Sequence, residues 1–496
     1  MDLQKRSESL VKAKKQLIDK TAADKLHKAG KFTAYDLVAQ LFDEGTFVET
    51  NAYVKAYANE LSTANTSEYE GVVCGYGAVD GRLTFVYAQN AARLNGAFSK
   101  AAADKIAALY DMAKKNGAPV VSIFDSNGAK VEEGIDVLSG YGKVMKKACA
   151  LKGKVPQIAV IVGNCAGAAS AIAAMADISV MADGASYSLT PASVLASKGA
   201  DEKVATAEYA SEKGMVSLTA KTCPEAFALV KDVLSYLPSN KLDKNVYTGV
   251  QDDPNRATNE VASIVAGASY DVHGVIAAIA DGAKFFELGA DKAKSIVTGF
   301  VTVNGIVAGV VANNPAAHEA KLCAGCMKKA ADFINLCDTF GISVLTLVDT
   351  NGFSESCEAK GHKNFVEAVA NLASSYCKAS VPMVTVNTGS AYGTAFTVMG
   401  SKELGADMVI ALDSAKIGVL KPGAGVAMMW SEKMAGSKSP IEKRKSLEEE
   451  WELLMSTPIL AAEAGQVDDI IPASELRVKI ASALEMLSMK SEFASL

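Results

Sequence analysis

Two short turns in this chain have the residue types and spacing to bind an oxyanion. The first is Gly163-Asn164-Cys165-Ala166-Gly167-Ala168-Ala169, which follows the apolar run Ile158–Val162. The second is Gly389-Ser390-Ala391-Tyr392-Gly393-Thr394-Ala395, which follows Met383-Val384-Thr385-Val386. Each reads as a strand, a Gly-x-x-x-Gly turn and an Ala-rich helix start, a shape that presents backbone N–H groups to negative charge. The competing reading is that the glycines only let a helix approach a strand closely. Two such turns in register within one repeated frame favour the chemical reading, with Gly167 and Ala168 around one hole and Gly393, Thr394 and Ala395 around the other.

The repeat extends well beyond the turns. Pro156/Pro382, Gly163/Gly389 and Gly167/Gly393 lie 226 positions apart. Upstream, Val79-Asp80-Gly81 pairs with Val303-Asn304-Gly305, and Asp125-Ser126-Asn127-Gly128 with Asp349-Thr350-Asn351-Gly352, at 224. Downstream, Ala176-Asp177 pairs with Ala406-Asp407 at 230 and Pro191 with Pro422 at 231. An offset that changes only between matched blocks indicates insertions in loops, and a period this long means two fused domains. Short Val/Ile/Leu runs alternate with Ala-rich helical stretches, which predicts an α/β fold with helices covering a sheet. Residues 1 to about 65 read as a charged, helical, peripheral element, with a helix opening at Thr33-Ala34-Tyr35-Asp36 and ending near Gly45. The first repeat is expected from about 70 and the second from about 295. The polar stretch from Leu237 to Arg256 is the linker candidate, and Ile441–Leu454 a charged helix.

At 496 residues, 49% hydrophobic, the chain can bury two or three cores, and a net charge of -6 offers no electrostatic footprint for nucleic acid. Nine scattered cysteines and a polar start at Met1-Asp2-Leu3-Gln4 lead us to expect a cytoplasmic protein. Val155–Ala176 carries no charge and is long enough to span a bilayer, but Pro156, Gln157, Asn164 and Ser170 interrupt it. A buried strand and helix explain it better, and no direct membrane insertion is expected. Cys323-Ala324-Gly325-Cys326 is half of a zinc ribbon without its second half, and the four histidines have no ligand spacing, so no metal is expected. No Gly-x-Ser-x-Gly or Walker loop is present. Lys105 and Lys329 occupy equivalent helix positions where a ligand phosphate could be met, although such lysines are more often solvated.

Taken together, the turns and their surroundings resemble the carboxyltransferase subunits of biotin-dependent acyl-CoA carboxylases and decarboxylases. The resemblance covers nearly the whole chain. It is carried by Leu41–Glu49, Asp125–Ala129 with Glu133-Gly134, Val155–Ile158, Leu234–Asn240, Phe285-Phe286-Glu287, Ala391–Lys402 and Ala461–Asp468. It implies tandem duplicated crotonase (ClpP/crotonase-like) ββα-superhelix domains. Residues 1–255 would form the acyl-CoA half, with a helical N-terminal extension, and 256–496 the biotin half. The N-half hole at Gly167 and Ala168 would stabilise the acyl-CoA enolate or the carboxylate being moved, with Gly128, Ala129, Ala166 and Lys105 binding substrate. The C-half hole at Thr394 and Ala395 would hold the ureido oxygen of biotin on a separate carrier, with Tyr392, Gly393 and Thr397 beside it.

The implied partners are a biotin carrier protein and a biotin carboxylase or membrane decarboxylase subunit, within a homo-hexamer in which the N-half of one protomer faces the C-half of another. Acetyl-/propionyl-CoA carboxylase chemistry is the first expectation. The α subunit of a sodium-pumping malonyl-, methylmalonyl- or glutaconyl-CoA decarboxylase is the alternative. A non-catalytic CoA-binding scaffold and a hydratase or isomerase acting on acyl-CoA alone rank below both. The chain departs from the family pattern at several points. The Arg-Lys pair before Ala391 is replaced by Gly389-Ser390, Thr394 and Ala168 stand where relatives carry glycine, and the loop after Phe353 is short. A threonine at 394 keeps its donor only if the position does not need a positive φ.

Overall fold

The computed structural model describes residues 3–15, 20–57, 69–201, 203–243, 252–359, 364–434 and 439–490. The chain divides into two compact units, Met1–Asp243 and Lys244–Leu496. The division falls earlier than residue 255 because the segment after 251 is tied to the second unit. Arg256 donates to the carbonyls of Ala278 and Ala280 at 2.8 and 3.1 Å, and Arg477 to that of Asp253 at 2.8 Å. Of the expected linker, residues 244–251 lie outside the described residues.

In the first unit a seven-stranded sheet has the order β1 (Val48–Thr50), β2 (Val72–Val79), β3 (Arg82–Gln89), β4 (Val120–Phe124), β5 (Gln157–Ile161), β7 (Ile178–Ala182) and β9 (Leu218–Ala220). The β1–β2 and β2–β3 pairs are antiparallel and the remainder parallel. Strands β4 and β5 are buried at every residue, as parallel strands covered on both faces must be. A separate pair, β6 (Asn164–Ala166) and β8 (Ser186–Ser188), carries the glycine turn out of β5.

The second unit repeats this plan. Its sheet runs β10 (Phe285–Glu287), β11 (Ile296–Val303), β12 (Ile306–Asn313), β13 (Ser343–Thr350), β14 (Met383–Tyr392), β15 (Met408–Leu412) and β17 (Asp469–Ile471), with β16 (Lys416–Gly418) also on β14. The β11–β12 hairpin matches β2–β3 residue for residue at an offset of 224. Both hairpins turn through a non-glycine residue at φ near 50° and then a glycine, Asp80-Gly81 and Asn304-Gly305. This is the turn that two-residue hairpins need. A carboxylate caps each turn: Asp43 accepts from the N–H groups of Asp80 and Gly81 at 3.1 and 2.9 Å, and Asp281 from Asn304 and Gly305 at 3.0 and 2.9 Å.

These carboxylates show that the repeat begins earlier than expected from the sequence. Helix α1 (Ala34–Leu41) and β1 are built like helix His273–Ile279 and β10, so residues 33–50 belong to the core architecture, not to a peripheral extension. Phe47-Val48-Glu49 and Phe285-Phe286-Glu287 carry the signal, at an offset of 238. Gly75 and Gly299 exist because these edge strands cross them: a Cβ would stand 2.4 Å from Val48 O and 2.3 Å from Phe286 O. The helix opening at Thr33 is confirmed by its capping box with Asp36, but it ends at Leu41, where Phe42 turns extended. The charged C-terminal helix spans Pro440–Met455. Among the described residues no helix is long and apolar enough to cross a membrane.

Candidate active site

Both glycine turns are held by the same device. Asp125 directly follows β4 and its carboxylate accepts from Asn164 N at 3.3 Å, while Asp349 near the end of β13 accepts from Ser390 N at 2.8 Å. The glycine before each donor has no room for a side chain. A Cβ on Gly163 would lie 1.9 Å from Asp125 Oδ1, and one on Gly389 2.1 Å from Asp349 Oδ2. Burial raises the pKa of both carboxyl groups, and the backbone N–H bonds oppose that rise. Gly163 and Gly389 are therefore needed for close packing, whereas the glycines four residues later serve a different purpose.

Gly167 has φ 63° and ψ −138°, a conformation essentially reserved for glycine, and an ideal Cβ there meets nothing within 4 Å. Its role is to turn the chain from β6 into helix α2 (Ala168–Ala174), with Ser170 Oγ donating to the Gly167 carbonyl at 2.7 Å. Gly393 has φ 58° and opens helix α3 (Gly393–Val398). Neither Ala168 nor Thr394 has a positive φ, so an alanine and a threonine hold these positions without backbone strain.

The donor set differs from expectation at one atom. Gly167 N–H is already bound to Leu189 O at 2.8 Å, extending the β6–β8 pairing, so Gly167 shapes the hole without donating to it. Ala168 and Ala169 open the helix, where N–H groups have no intrahelical acceptor, and neither has another backbone acceptor among the described residues. Thr394 and Ala395 are in the same situation in the second unit. Thr394 and Thr397 are both exposed and lie on one face of α3, while Ala395 and Tyr392 are buried.

The remaining sequence-predicted residues divide clearly. Gly128 and Ala129 lie on a loop tied to the first turn, because Ser126 N donates to Asn164 O at 2.8 Å and Asn164 Nδ2 to Asn127 Oδ1 at 2.9 Å. Ala166 lies in β6 opposite Ser188. Lys105 is a correction: it is 2% exposed and its ammonium is bound to Val72 O. Lys329 does the same in the second unit, donating to Ile296 O at 2.8 Å and Lys292 O at 3.0 Å, with burial pulling its pKa down to about 8. These lysines tie a helix to the first strand of the hairpin in each unit and have no free face for a phosphate. In the sequence Asp125 and Asp349 stand out as members of matched repeat blocks, and their positioning role emerges only in the fold.

The chemistry available at both turns is that of backbone donors. Cys165 lies within the first turn, but burial pushes its thiol up to about 12, so it stays neutral. Among the described residues no cluster of three or more metal-ligating side chains occurs.

Residues 25–495 match the carboxyl transferase domain family. The carboxyltransferase subunit of propionyl-CoA carboxylase from Haloferax mediterranei is 33% identical over 474 residues, covering 94% of this chain and 92% of that protein. Methylmalonyl-CoA decarboxylase subunit alpha from Propionigenium modestum is 34% identical over 485 residues, with 95% and 92% covered. Among solved structures, transcarboxylase 12S with methylmalonyl-coenzyme A bound superimposes with a TM-score of 0.92 at 32% identity, covering 99% of this chain and 96% of that one. Two crotonase-type units, each with a carboxylate-braced glycine turn opening a helix, make this chain a member of the carboxyl transferase domain family, and it is an acyl-CoA carboxyltransferase.

Proposed function

We propose that the chain moves a carboxyl group between the biotin of a separate carrier protein and the α-carbon of a short acyl-CoA, in the manner of an acetyl- or propionyl-CoA carboxylase. The carrying observation is the pair of glycine turns, each ending in first-turn N–H groups without backbone acceptors. In the first unit, Ala168 N–H and Ala169 N–H bind the thioester oxygen as it gains charge, and Gly167 holds them in place. A preorganised donor of this kind supplies roughly 3–4 kcal/mol of transition-state stabilisation. In the second unit, Thr394 N–H and Ala395 N–H suit a neutral ureido oxygen, and the Gly393 turn keeps the approach narrow, since a Cβ there would sit 3.2 Å from Val419 O. Bound biotin supplies the nitrogen that gives up or takes up the carboxyl group. The chain needs no side-chain base for this, consistent with the neutral Cys165 and the backbone-bound Asp125 and Asp349 at its turns.

The opposite direction, as in a decarboxylase α subunit, is the second reading. The methylmalonyl-CoA decarboxylase relative is as close to this chain as the propionyl-CoA carboxylase relative. The transcarboxylase 12S neighbour is described as a hexamer assembly, and a hexamer of this chain, working with a biotin carrier protein, is part of the proposal. The test is carboxyl transfer to free biotin from malonyl-, methylmalonyl- and glutaconyl-CoA, followed as loss of the carboxylated thioester. Turnover on one of the three supports the reading and identifies the acyl group. Binding of all three without transfer would replace it with a CoA-binding scaffold.

A further inference from the structure

Cys323 and Cys326 lack the ligands for a metal, yet their sulfurs are only 3.0 Å apart and both are free thiols. The duplication provides an internal comparison. At an offset of 224 their counterparts are Ser99 and Ala102. Ser99 caps its helix through Oγ, accepting from Ala102 N at 2.9 Å, and donates to Glu70 Oε2 at 2.7 Å. Cys323 caps helix Ala324–Thr339 in the same way, with its sulfur 3.3 Å from Cys326 N. Serine is the better cap and alanine suffices at the second position, so the fold itself requires neither sulfur.

The two thiols differ in access. Cys323 is half-buried, whereas Cys326 is 1% exposed. The Cys326 S–H and first-turn N–H groups all point at Cys323 Sγ, holding its pKa well below that of an ordinary thiol, while the Cys326 thiol is pushed up. The pair also sits at the base of a site loop. Leu322 N donates to Gly352 O and Leu322 O accepts from Ser354 N, each at 2.9 Å, and Gly352 is the counterpart of Gly128.

We propose that Cys323 and Cys326 form a reversible intramolecular disulfide, with Cys323 as the attacking sulfur, Cys326 as the resolving sulfur and a low-molecular-weight disulfide as oxidant. The Cys323 thiolate attacks one sulfur of the oxidant, releasing one thiolate and leaving a mixed disulfide on Cys323. Cys326 then loses its proton and attacks Cys323 Sγ, and the second thiolate departs. Two protein thiols are oxidised and one disulfide is reduced to two thiols.

The test is incubation of the full-length protein with glutathione disulfide, acid quenching, alkylation and tryptic mass spectrometry. Both cysteines fall in the single peptide Leu322–Lys328. We expect this peptide to lose two hydrogens and to escape alkylation, and a dithiol reductant to restore it. In Cys326→Ser, glutathione should accumulate on Cys323 as a stable mixed disulfide, because the resolving sulfur is gone. In Cys323→Ser, position 326 should stay unmodified. A stable glutathione adduct on wild-type Cys323, or no adduct on Cys323 in Cys326→Ser, would overturn the proposal.

Discussion

Replacing Gly167 with alanine separates backbone conformation from bulk. An alanine methyl at this position has open space, with nothing within 4 Å of the ideal Cβ, so steric blockade plays no part. The cost is conformational. At φ 63° and ψ −138° an L-residue carries strain of about 1–3 kcal/mol. The chain either bears that strain or relieves it by rotating the peptide that carries Ala168 N–H. Relief is opposed by the Gly167 N–H bond to Leu189 O at 2.8 Å and by Ser170 Oγ on the Gly167 carbonyl at 2.7 Å. Two neutral hydrogen bonds together contribute about 1–3 kcal/mol, so strain and restraint are comparable and the N–H vector shifts. Misdirecting one oxyanion donor lowers kcat about 10²–10³-fold. The assay is carboxyl transfer from acyl-CoA to free biotin, with kcat and KM measured separately. We expect kcat to fall and KM for the thioester to change little. Gly81→Ala is the control: its φ is 77°, it is also unhindered, and it precedes β3, at the opposite end of the parallel strands from the turn after β5. It should lose similar stability and keep full turnover. Gly167→Ala turning over within about twofold of wild type would refute donor positioning by this glycine.

Three further outcomes follow from the same structure. Gly389→Ala forces a methyl into the space of Asp349 Oδ2, 2.1 Å away, so it should abolish transfer to biotin while acyl-CoA binding, measured by calorimetry, persists. Loss of acyl-CoA binding in that variant would contradict the division of labour between the two turns. Lys105→Met leaves the carbonyl of Val72 without its partner, which costs about 1–3 kcal/mol and should lower Tm, while KM for the thioester stays unchanged. A rise in KM alone would restore a phosphate-binding role. His273 is held by Glu287 at 2.9 Å and Asp271 at 2.6 Å, with its pKa raised to about 9, chiefly by the Glu287 hydrogen bond. A raised histidine pKa stabilises the fold fully below about pH 6.5 and loses that contribution as pH climbs through 9. His273→Gln should therefore lower Tm at pH 6 more than at pH 10, by a modest amount because the ring is 39% exposed; an equal loss at both would remove the ion pair as the cause.

Much of this protein is legible in its sequence. The duplication is, because glycines, prolines and Asn-Gly or Asp-Gly turns occupy backbone conformations that few other residues tolerate, and they recur at one offset. The two helix-opening turns are legible for the same reason. The start of the repeat is not, because residues 33–50 keep only Ala39, Asp43, Phe47 and Glu49 in common with their counterpart and are joined to the sheet by a different loop length. Lys105 was misread because a charge in a helix signals solvent unless a carbonyl is known to await it, and Val72 lies far away in sequence. The free donors were also hidden. Sequence shows that every residue there except proline has an N–H, but whether that group is spent depends on a strand that returns later. In this protein Leu189 takes the N–H of Gly167, which leaves Ala168 and Ala169 as the donors. Local backbone preference is written in residue type, whereas hydrogen-bond occupancy is decided only when distant segments meet.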